Sequence, residues 1–495
     1  MAPLTHLENP LDLVYIGCAL VATFVVGKVF YNIFLHPLRS YPGPFLWKIT
    51  PLFKYMRLWR GDLPVYMKEL HMKYGPVVRV SPYELAFSDP QAWKDIYGHR
   101  HNGQPELPKY DGFYRAVDNM PRGIINAFRE DHGFLRRQLS HGFSERSMQL
   151  QEPIIGSYVD LLIHRLQEQS GDGSKPLNMR EWLNWTTFDV IGDLGFGSSF
   201  GCLDKSDYHP WVKLVANSVM QTAFMSALSD MGFKPVVRSL LKLKKLAITD
   251  NQALVRAKLR QRIESGVERP DFIEGLIKQK DEGKLEFMQI ATNASTLIVA
   301  GSETTATLLS GAVYLLTTHP DKLERLTQEV RSSFNSDDEI TLTSVGKLSY
   351  MLACLNESLR RYPPVPTGMP RQAPKGGVTI MGKYVPEGTV VAVWQYAVNH
   401  DPNHWTDPYA FAPERFMGDP KYKADKLDAM QPFSVGPRNC IGRNLAYAEM
   451  RLILARIIYN FDMTIADDSR NWLNQPVYTL WDKPALNIHL KPVVR

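Results

Sequence analysis

The chain has 495 residues, of which 44% are hydrophobic, so it can bury a sizeable core in one large domain or in a few ordinary ones. A formal net charge of +6 over this length is too dilute to indicate a nucleic-acid-binding protein, although it permits a basic docking face. The cysteines are few and widely spaced, which excludes a disulfide-rich scaffold and suits a reducing compartment.

The N-terminal segment, residues 1–36, differs in composition from the rest of the chain. Leu13–Leu35 is a 23-residue apolar run with a single charge, Lys28, and this length spans the hydrocarbon core of a bilayer. Acidic residues precede the run and basic residues follow it, so the positive-inside rule places the rest of the chain in the cytosol. The alternative is a buried core helix, since Lys28 and Asn32 weaken the apolar run.

Prolines within residues 37–44 stop any helix and predict a stiff hinge. Residues 45–495 show no internal repeat or long flexible linker and are predicted to form one domain. Most of this domain has helical periodicity, and short strands are predicted within Gly75–Ser88, Gly376–Val393 and Tyr478–Leu490. The expected fold class is therefore mostly α with a small β region.

The apolar segment Leu285–Pro320 predicts a helix about 50 Å long that runs through the core. In its middle stands the sequence AGSETT, Ala300–Thr305, which places polar groups where burial disfavours them. The hydroxyl groups can bond to carbonyl groups one turn earlier and distort the helix, and Gly301 leaves room for a ligand. The segment predicts either a groove for a small polar reactant or an ordinary bend with a paired or solvated Glu303.

Glu–Arg pairs follow this helix in the sequence. Glu357 and Arg360 are three residues apart and share a helix face, where a buried arginine would need the carboxylate as its partner. Further on, the sequence PERF contains Glu414 and Arg415. Such pairs are common on surface helices, so each one is a weak signal by itself.

A single cysteine, Cys440, stands in the loop PFSVGPRNCIGRNLA, Pro432–Ala446. An isolated cysteine is most often a buried small hydrophobe. A zinc site is excluded because no second Cys or His lies within this stretch. Cys440 therefore has to be explained by its neighbours, which include two glycines and two arginines.

The sequences AGSETT, ESLR, PERF and FSVGPRNCIG, in this order, closely resemble those of the cytochrome P-450 superfamily of haem-thiolate monooxygenases. The loop agrees with the family pattern F-x-x-G-x-R-x-C-x-G at every fixed position, namely Phe433, Gly436, Arg438, Cys440 and Gly442. Shorter stretches, such as HPLRSYPGP, are similar to membrane-anchored members that filamentous fungi use for secondary metabolites. The resemblance implies the cytochrome P-450 fold, with the long central helix over the haem and an N-terminal transmembrane anchor.

The resemblance also implies that haem b is the cofactor and that Cys440 is the axial ligand of its iron. Phe433 would shield the sulfur, while Gly436 and Gly442 would let backbone N–H groups approach it. The residues that match the family's propionate donors are His132, Arg136, Arg371 and Arg438. His132 stands where a tryptophan is commoner in the family, so a plain surface histidine is its alternative interpretation.

Further residues match the family by position. In the central helix, Glu303 and Thr304 match the acid–alcohol pair that delivers protons during oxygen activation. Ala300 and Gly301, which precede that pair, would lie beside the haem. The family's structural triad, which serves folding and haem retention, corresponds to Glu357, Arg360 and Arg415.

These matches imply a monooxygenase that inserts one oxygen atom from O2 into an apolar small molecule. Electrons would come from NADPH through a cytochrome P-450 reductase, with cytochrome b5 as an additional donor. The chain would be a single-pass protein of the endoplasmic reticulum membrane with a cytosolic catalytic domain. The family's recognition segments correspond to Gln104–Gly123, the face around Thr296 and Ala300, Val365–Met369 and Val477–Leu480.

Two alternatives stay open at the level of sequence. A haem-thiolate isomerase or dehydratase would not use external oxygen, and such members commonly lack the acid–alcohol pair that Glu303 and Thr304 match. A non-catalytic haem-binding membrane protein would keep the cysteine ligand without turnover. A requirement for oxygen and NADPH separates a monooxygenase from both.

Overall fold

A computed structural model describes residues 10–100, 104–115, 121–209, 221, 223–243 and 245–494 of the protein. Most of these residues are helical, as the periodicity predicts. After the N-terminal helix, the helices span Phe45–Ile49, Leu52–Arg60, Leu63–Tyr74, Pro90–Tyr97, Asp111–Tyr114, Arg129–Ser140, Glu145–Gln169, Met179–Phe196, Cys202–Lys205, Lys234–Leu243, Lys245–Glu264, Glu274–Asp281, Phe287–Thr317, Pro320–Ser333, Ser349–Arg361, Gln395–Asn399 and Arg443–Asn460.

The predicted N-terminal apolar helix is present. It runs as an α-helix over Pro10–Phe30 and continues as a π-helix over Tyr31–Leu35. Residues Leu11–Leu35 have a mean hydropathy of 2.1 and are exposed over the most apolar stretch, so this segment is long and apolar enough to cross a membrane. Its exposure argues against the alternative of a buried core helix.

The central helix, Phe287–Thr317, passes through the core, and its C-terminal half is buried almost continuously. A capping box between Glu286 and Gln289 satisfies its first N–H groups, and the helix ends shortly before Pro320 begins the next one. Along its length it packs chiefly against Met179–Phe196, the partner helix. This contact sets the frame on which the other elements pack.

Hydroxyl side chains are buried in the central helix without distorting it. Ser302 donates to the carbonyl oxygen of Ile298 at 2.6 Å, and Ser310 donates to that of Ala306 at 2.7 Å. Each hydroxyl thereby finds a partner inside its own helix. The helix is continuous α through residues 300–305, so the predicted bend or opening is not formed there.

The main sheet joins distant parts of the chain: β1 (Val77–Ser81), β2 (Glu84–Phe87), β4 (Arg371–Gln372) and β7 (Val390–Val393), in the spatial order β1–β2–β7–β4. The hairpin of β1 and β2, which lies within the predicted region Gly75–Ser88, is antiparallel, and β2 pairs in parallel with β7 so that Leu85 faces Val391. On the other edge of β7, Arg371 of β4 also faces Val391. The sheet thus places Arg371 at the end of a strand, beside the domain core.

Smaller sheets complete the β region. A hairpin of β5 (Val378–Ile380) and β6 (Lys383–Val385) falls within the predicted region Gly376–Val393. A three-stranded sheet has β9 (Asn487–Pro492) between β3 (Pro176–Asn178) and β8 (Phe461–Ile465). Only β9 overlaps the region Tyr478–Leu490, where a final β pair is predicted, and that prediction is wrong because the partners of β9 come from distant parts of the chain. The described residues are therefore mostly α with a small β region, which confirms the predicted fold class.

The end of the N-terminal helix docks on the domain. Asn32 is buried, and its Nδ2 donates to the carbonyl oxygen of Ile49 at 3.0 Å. The buried Arg79 in turn donates to the carbonyl oxygen of Asn32 at 3.0 Å and also binds the carbonyl of Pro82. Asn32 lies before the predicted hinge at residues 37–44, whereas Ile49 and Arg79 lie after it. The domain therefore orients the last turns of the helix.

We expect removal of residues 1–30 and removal of residues 1–36 to affect stability differently. Both truncations delete most of the apolar helix, but the longer one also removes Asn32 and leaves the buried Arg79 short of an acceptor. That loss costs about 1–3 kcal/mol in the free energy of unfolding. Denaturant unfolding of the two proteins measures the difference, and equal stability would contradict a docking role for Asn32.

Candidate active site

The loop around Cys440 is shaped by close backbone contacts. The Cys440 N–H group donates to the carbonyl oxygen of Phe433 at 2.8 Å, which closes the loop. Gly436 has φ = 77°, and a Cβ there would lie 1.9 Å from the carbonyl oxygen of Tyr97. Only glycine satisfies both demands. Close packing against Tyr97 therefore requires glycine here, and access of the Gly436 N–H group to the sulfur stays a prediction.

The Cys440 thiol is packed among protein atoms but remains accessible to solvent. Burial raises the pKa of this thiol, whereas the backbone N–H group of Gly442 and the guanidinium of Arg136 lower it. Gly442 is the N-cap residue of the helix Arg443–Asn460, the cysteine helix. The positive end of that helix therefore lies next to the sulfur and favours a thiolate.

The crossing helix, Arg129–Ser140, contacts the loop that carries Cys440. Arg136 donates to both the carbonyl oxygen of Asn439 at 2.7 Å and its side-chain Oδ1 at 2.5 Å. His132 is buried one turn earlier, and burial together with Arg438 and Arg136 lowers its pKa to about 4. At neutral pH His132 is therefore an uncharged side chain in the interior, which excludes the alternative of a plain surface histidine.

Three cationic side chains influence one another electrostatically near His132: Lys109, Arg371 and Arg438. Arg438 donates to Glu106 at 2.8 and 2.6 Å and to the carbonyl of Ala127 at 2.8 Å. Burial, then Arg371 and Arg438, hold the pKa of Lys109 well below its usual range. We call Lys109, Arg371 and Arg438 the basic cluster.

The basic cluster has more cations than anions. Arg371 is buried, its Nη1 donates to the carbonyl of Leu107 at 3.4 Å, and its Nε has no partner among the described atoms. Hydrogen bonds from Arg438 hold the pKa of Glu106 below its ordinary value, although burial acts in the opposite direction. A donor set with this excess of positive charge suits a ligand that carries carboxylates.

On the central helix, Ala300 is exposed, whereas its sequence neighbours Val299 and Gly301 are half-buried. Thr304, one turn later on the same face, donates from Oγ1 to the Ala300 carbonyl oxygen at 2.7 Å. A Cβ at Gly301 would lie 2.6 Å from Cδ1 of Ile191 on the partner helix. Glycine at this position therefore favours close packing of the two helices, and its role in leaving room for a ligand stays a prediction.

Glu303 does not lie free on this helix. Its carboxylate forms an ion pair with Lys483, which follows the predicted recognition segment Val477–Leu480. Lys483 also donates to Oγ1 of Thr307 at 2.5 Å. The structure therefore shows a paired Glu303 without the bend, and the groove for a small polar reactant stays a prediction.

Three of the four Glu–Arg residues of the sequence, Glu357, Arg360 and Arg415, meet in one fully buried cluster, whereas Glu414 pairs with Lys322. Arg360 donates to both carboxylate oxygens of Glu357, at 2.8 and 2.7 Å, and Arg415 donates to the same carboxylate at 3.2 Å. Asp425 forms a second ion pair with Arg415. The arginines also bind carbonyl groups of residues 399–410, so the cluster fixes the segment that leads toward Cys440.

Several residues of the site were not predicted. Asn439 is adjacent to Cys440 in the sequence, and its polar side chain beside a thiol was a signal that could have been used. Glu106 and Lys109 lie in the predicted recognition segment Gln104–Gly123, where no local pattern separates them from substrate-facing residues. Lys483 and Glu303 are 180 residues apart, so only the fold reveals their pairing.

The family model described as Cytochrome P450 matches residues 41–487 of the chain. The chain belongs to the cytochrome P450 family. The P450 therefore binds haem and uses NADPH-derived electrons that arrive through a reductase.

Curated relatives from fungi match nearly the whole of this P450. It is 50% identical over 481 residues to cytochrome P450 monooxygenase tpeC of Talaromyces stipitatus, covering 96% of this chain and 94% of that protein. It is 47% identical to trichothecene C-15 hydroxylase of Fusarium sporotrichioides, with 95% and 96% covered. It is 43% identical to averantin hydroxylase of Dothistroma septosporum, with 95% and 92% covered. The P450 is accordingly a haem-thiolate monooxygenase, as the sequence predicts. The relatives favour this function over the isomerase and non-catalytic alternatives.

The residues of the P450 fit a haem group. The excess positive charge of the basic cluster and the unpaired Nε of Arg371 suit the two propionates. The Cys440 loop presents a single sulfur whose thiolate is favoured by Gly442 and Arg136. Two of the predicted propionate donors already bind protein groups: Arg136 donates to Asn439, and Arg438 donates to Glu106. Arg136 therefore also supports the cysteine loop.

Proposed function

We propose that this P450 inserts one oxygen atom from O2 into an apolar small molecule, with Cys440 as the axial ligand of haem b. The observation that carries the proposal is the loop that holds the Cys440 thiol between the N–H group of Gly442 and the guanidinium of Arg136. Both groups favour the thiolate over the thiol. A cysteine that served only as a small hydrophobe would need neither of them.

When bound, haem supplies the metal centre that activates dioxygen, and an axial thiolate favours cleavage of the O–O bond. The protein has to stabilise that thiolate because burial raises the pKa of Cys440. Gly442, Arg136 and the N-terminal end of the cysteine helix oppose this effect of burial. The ring of Phe433, centred 5.3 Å from that of Tyr447, adds an apolar wall to the loop.

We expect Cys440→Ser to abolish the thiolate-specific Soret band of the reduced carbon monoxide complex, because an alcohol is a much poorer anionic donor than a thiol. Absorption difference spectra measure this band. Cys202→Ser is the matched control, since Cys202 is also buried and a serine oxygen can accept the hydrogen bond that its sulfur accepts from His209 N–H. A normal band in Cys440→Ser would exclude Cys440 as the ligand.

We assign proton delivery to Thr304 and Glu303. The Thr304 hydroxyl donates to the Ala300 carbonyl, so its oxygen keeps lone pairs that accept a hydrogen bond from water or from a reacting group. It lies on the same helix face as Ala300, which is exposed. Glu303, the adjacent residue, supplies protons to the Thr304 hydroxyl and its bound water.

We expect Thr304→Ala to uncouple NADPH consumption from product formation. The basic cluster and Cys440 are unchanged, so haem spectra stay near normal, but protons reach the reacting oxygen without control. Product per NADPH falls by about tenfold or more, and hydrogen peroxide rises correspondingly. Product, NADPH and peroxide measured in the same reaction test this expectation.

Ser310→Ala is the matched control for Thr304→Ala. Ser310 lies on the same helix and donates to the carbonyl oxygen of Ala306 at 2.7 Å, as Thr304 does to Ala300. Its removal should leave coupling unchanged. Full coupling in Thr304→Ala would contradict the assignment, and the double variant with Thr305→Ala would then show whether the neighbouring hydroxyl carries the proton.

The substrate class that we propose is an apolar, medium-sized secondary metabolite. The segments matched to substrate recognition contribute mainly Val, Met, Thr, Leu and Tyr side chains, as in Val365–Met369 and Val477–Leu480. Two relatives are named as a trichothecene C-15 hydroxylase and an averantin hydroxylase, and both names describe oxidation of a small molecule. Metabolite profiles after gene deletion and after heterologous expression identify the compound, and a strongly charged product would contradict the proposal.

We assign docking of an NADPH-cytochrome P-450 reductase, and of cytochrome b5, to the basic face behind Cys440. A cleft of about 410 Å³ opens there between the crossing helix and Pro437 of the cysteine loop. Its arginines are Arg100, Arg129, Arg136 and Arg137, and Glu106 is its one acidic lining residue within the described part of the chain. Arg443, at the start of the cysteine helix, extends the same basic face.

We expect reduction by the reductase to slow as salt concentration rises, because exposed charges attract an acidic flavin domain less strongly when they are screened. Arg137→Glu should lower the second-order rate of reduction by about tenfold at low salt. Lys175→Glu, an exposed lysine outside the cleft, is the matched control. Stopped-flow reduction measures both, and a rate independent of salt would contradict electrostatic docking.

For the chain organisation we propose residues 1–36 as the anchor segment, 37–44 as the hinge and 45–495 as the catalytic domain. The apolar helix supports a single-pass anchor, and the basic residues after it support a cytosolic domain in the endoplasmic reticulum membrane. Protease digestion of sealed microsomes tests this topology. Protection of the catalytic domain from protease would place it in the lumen and contradict the proposal.

A further inference from the structure

Asn293 is a buried polar residue in the first half of the central helix. Its Nδ2 donates to the carbonyl oxygen of Gln289 at 2.8 Å, one turn earlier on the same helix. Its Oδ1 accepts the backbone N–H group of Ile124 at 2.8 Å. The second hydrogen bond joins the central helix to a part of the chain that is 169 residues away.

This hydrogen bond holds a tight turn, Gly123–Ala127, which we call the end turn. The first carbonyl oxygen of the turn accepts the N–H groups of its last two residues at 3.0 and 2.8 Å, and Asn126 Oδ1 accepts the N–H group of Gly123 at 3.0 Å. A Cβ at Gly123 would lie 3.2 Å from Cγ2 of Thr292 on the central helix. Glycine therefore lets the backbone of the end turn lie directly against that helix.

The end turn is also fixed on its far side. The carbonyl oxygen of Ala127 accepts a hydrogen bond at 2.8 Å from Arg438 of the cysteine loop. Arg122, the residue before the turn, donates to the carbonyl oxygen of Asn126 at 2.8 Å and to both carboxylate oxygens of Asp111 at 2.9 and 2.7 Å. The end turn therefore joins the central helix to the cysteine loop as a fixed unit.

Helix geometry places Asn293 on the same stripe of the central helix as Ala300 and Thr304. Thr296, Ala300 and Thr304 follow Asn293 at intervals of three or four residues, so the four side chains line one stripe. Exposure increases along it: Asn293 is buried, Thr296 is half-buried and Ala300 is exposed. The end turn thus covers the stripe at Asn293 and leaves it open from Thr296 onward.

The open part of this stripe is short. Asn293 and Ala300 are seven residues apart, which corresponds to about 10 Å along the helix axis. A molecule that lies over Ala300 and extends toward the first half of the helix therefore soon meets the end turn. The turn moves aside only if the hydrogen bond between Ile124 and Asn293 breaks.

We propose that Asn293 is a positioning residue for substrate selection: its hydrogen bond to Ile124 fixes the end turn as a wall that limits how far a substrate extends along the central helix from Ala300. This inference rests on the proposed binding of an apolar substrate beside the haem. Compact molecules fit on the open stripe, whereas a bulky molecule has to displace the turn. The preferred substrates are therefore compact apolar molecules.

Two azoles that differ only in bulk test the wall in the holoenzyme. A nitrogen atom of imidazole binds the haem iron and shifts the Soret band, so a spectral titration gives the Kd. The compound 1-tritylimidazole carries the same ring with a triphenylmethyl group. In Asn293→Ala the Kd of 1-tritylimidazole should fall about fivefold, because the bulky group no longer has to break a buried hydrogen bond. The Kd of imidazole, which is too small to reach the turn, should stay unchanged.

The ratio of the two Kd values separates a positioning role from a structural one. A purely structural asparagine would weaken both azoles in parallel, and that result, or an unchanged ratio, would overturn the proposal. Asn178→Ala is the matched control, since Asn178 Oδ1 accepts the N–H group of Leu486 at 3.0 Å outside the site. Its ratio should equal that of the wild type. Asn293→Asp keeps an acceptor for Ile124 and should also keep the wild-type ratio.

Amide hydrogen exchange tests the anchor without any added ligand. Residues 121–127 should exchange faster in Asn293→Ala than in the wild-type holoenzyme, because the turn has lost its hydrogen bond to the central helix. The same residues should exchange at the wild-type rate in Asn178→Ala. Equal exchange in all three proteins would show that Asn293 does not fix the end turn and would overturn its role.

Thr296→Phe tests the wall even if Asn293→Ala does not fold. The added ring occupies the open stripe between the end turn and Ala300, and the hydrogen bond of Asn293 is left intact. The Kd of 1-tritylimidazole should rise about tenfold through overpacking, while that of imidazole stays unchanged. An unchanged Kd for 1-tritylimidazole would overturn the proposal. A wild-type protein without a haem Soret band would contradict the proposed function itself, whereas a normal band with an unchanged azole ratio would contradict this inference alone.

Discussion

The position of Cys440 depends on the buried carboxylate of Glu357 and the charges around it. Arg360 and Arg415 bind this carboxylate, and Asp425 balances the second arginine. All four side chains are fully buried, so loss of any one leaves an uncompensated charge, at a cost of about 3–5 kcal/mol. Because the two arginines also hold carbonyl groups of residues 399–410, this balance fixes the path of the chain toward the cysteine loop.

The buried charged clusters around the site fall into two kinds. The Glu357 cluster and the pair of Glu303 with Lys483 are balanced within the protein, so they need no further ion. The basic cluster of Lys109, Arg371 and Arg438 has Glu106 as its acidic partner and keeps an excess of positive charge. Balanced clusters hold the fold together, whereas the unbalanced one is suited to bind the carboxylates of a cofactor.

Two glycines show how packing sets the geometry of the site. Gly301 lets the central helix approach Ile191 of the partner helix, and Gly436 lets the cysteine loop approach the carbonyl of Tyr97. In both places a methyl group would collide with an interior neighbour. The glycines therefore act on the site indirectly, by bringing the central helix and the cysteine loop to their places in the domain.

The sequence by itself determined the fold class, the apolar N-terminal helix, the central helix, the strand regions Gly75–Ser88 and Gly376–Val393 and the residues of the cysteine loop, because each has a local pattern of period, turn or motif. Only the tertiary structure decided that Glu303 pairs with Lys483, that Arg136 supports Asn439 and that Lys109 joins the basic cluster. The reason is physical. Local patterns follow from the geometry of a single helix or strand, whereas the partner of a buried charge follows from which distant segments pack together, and no short stretch of sequence contains that information.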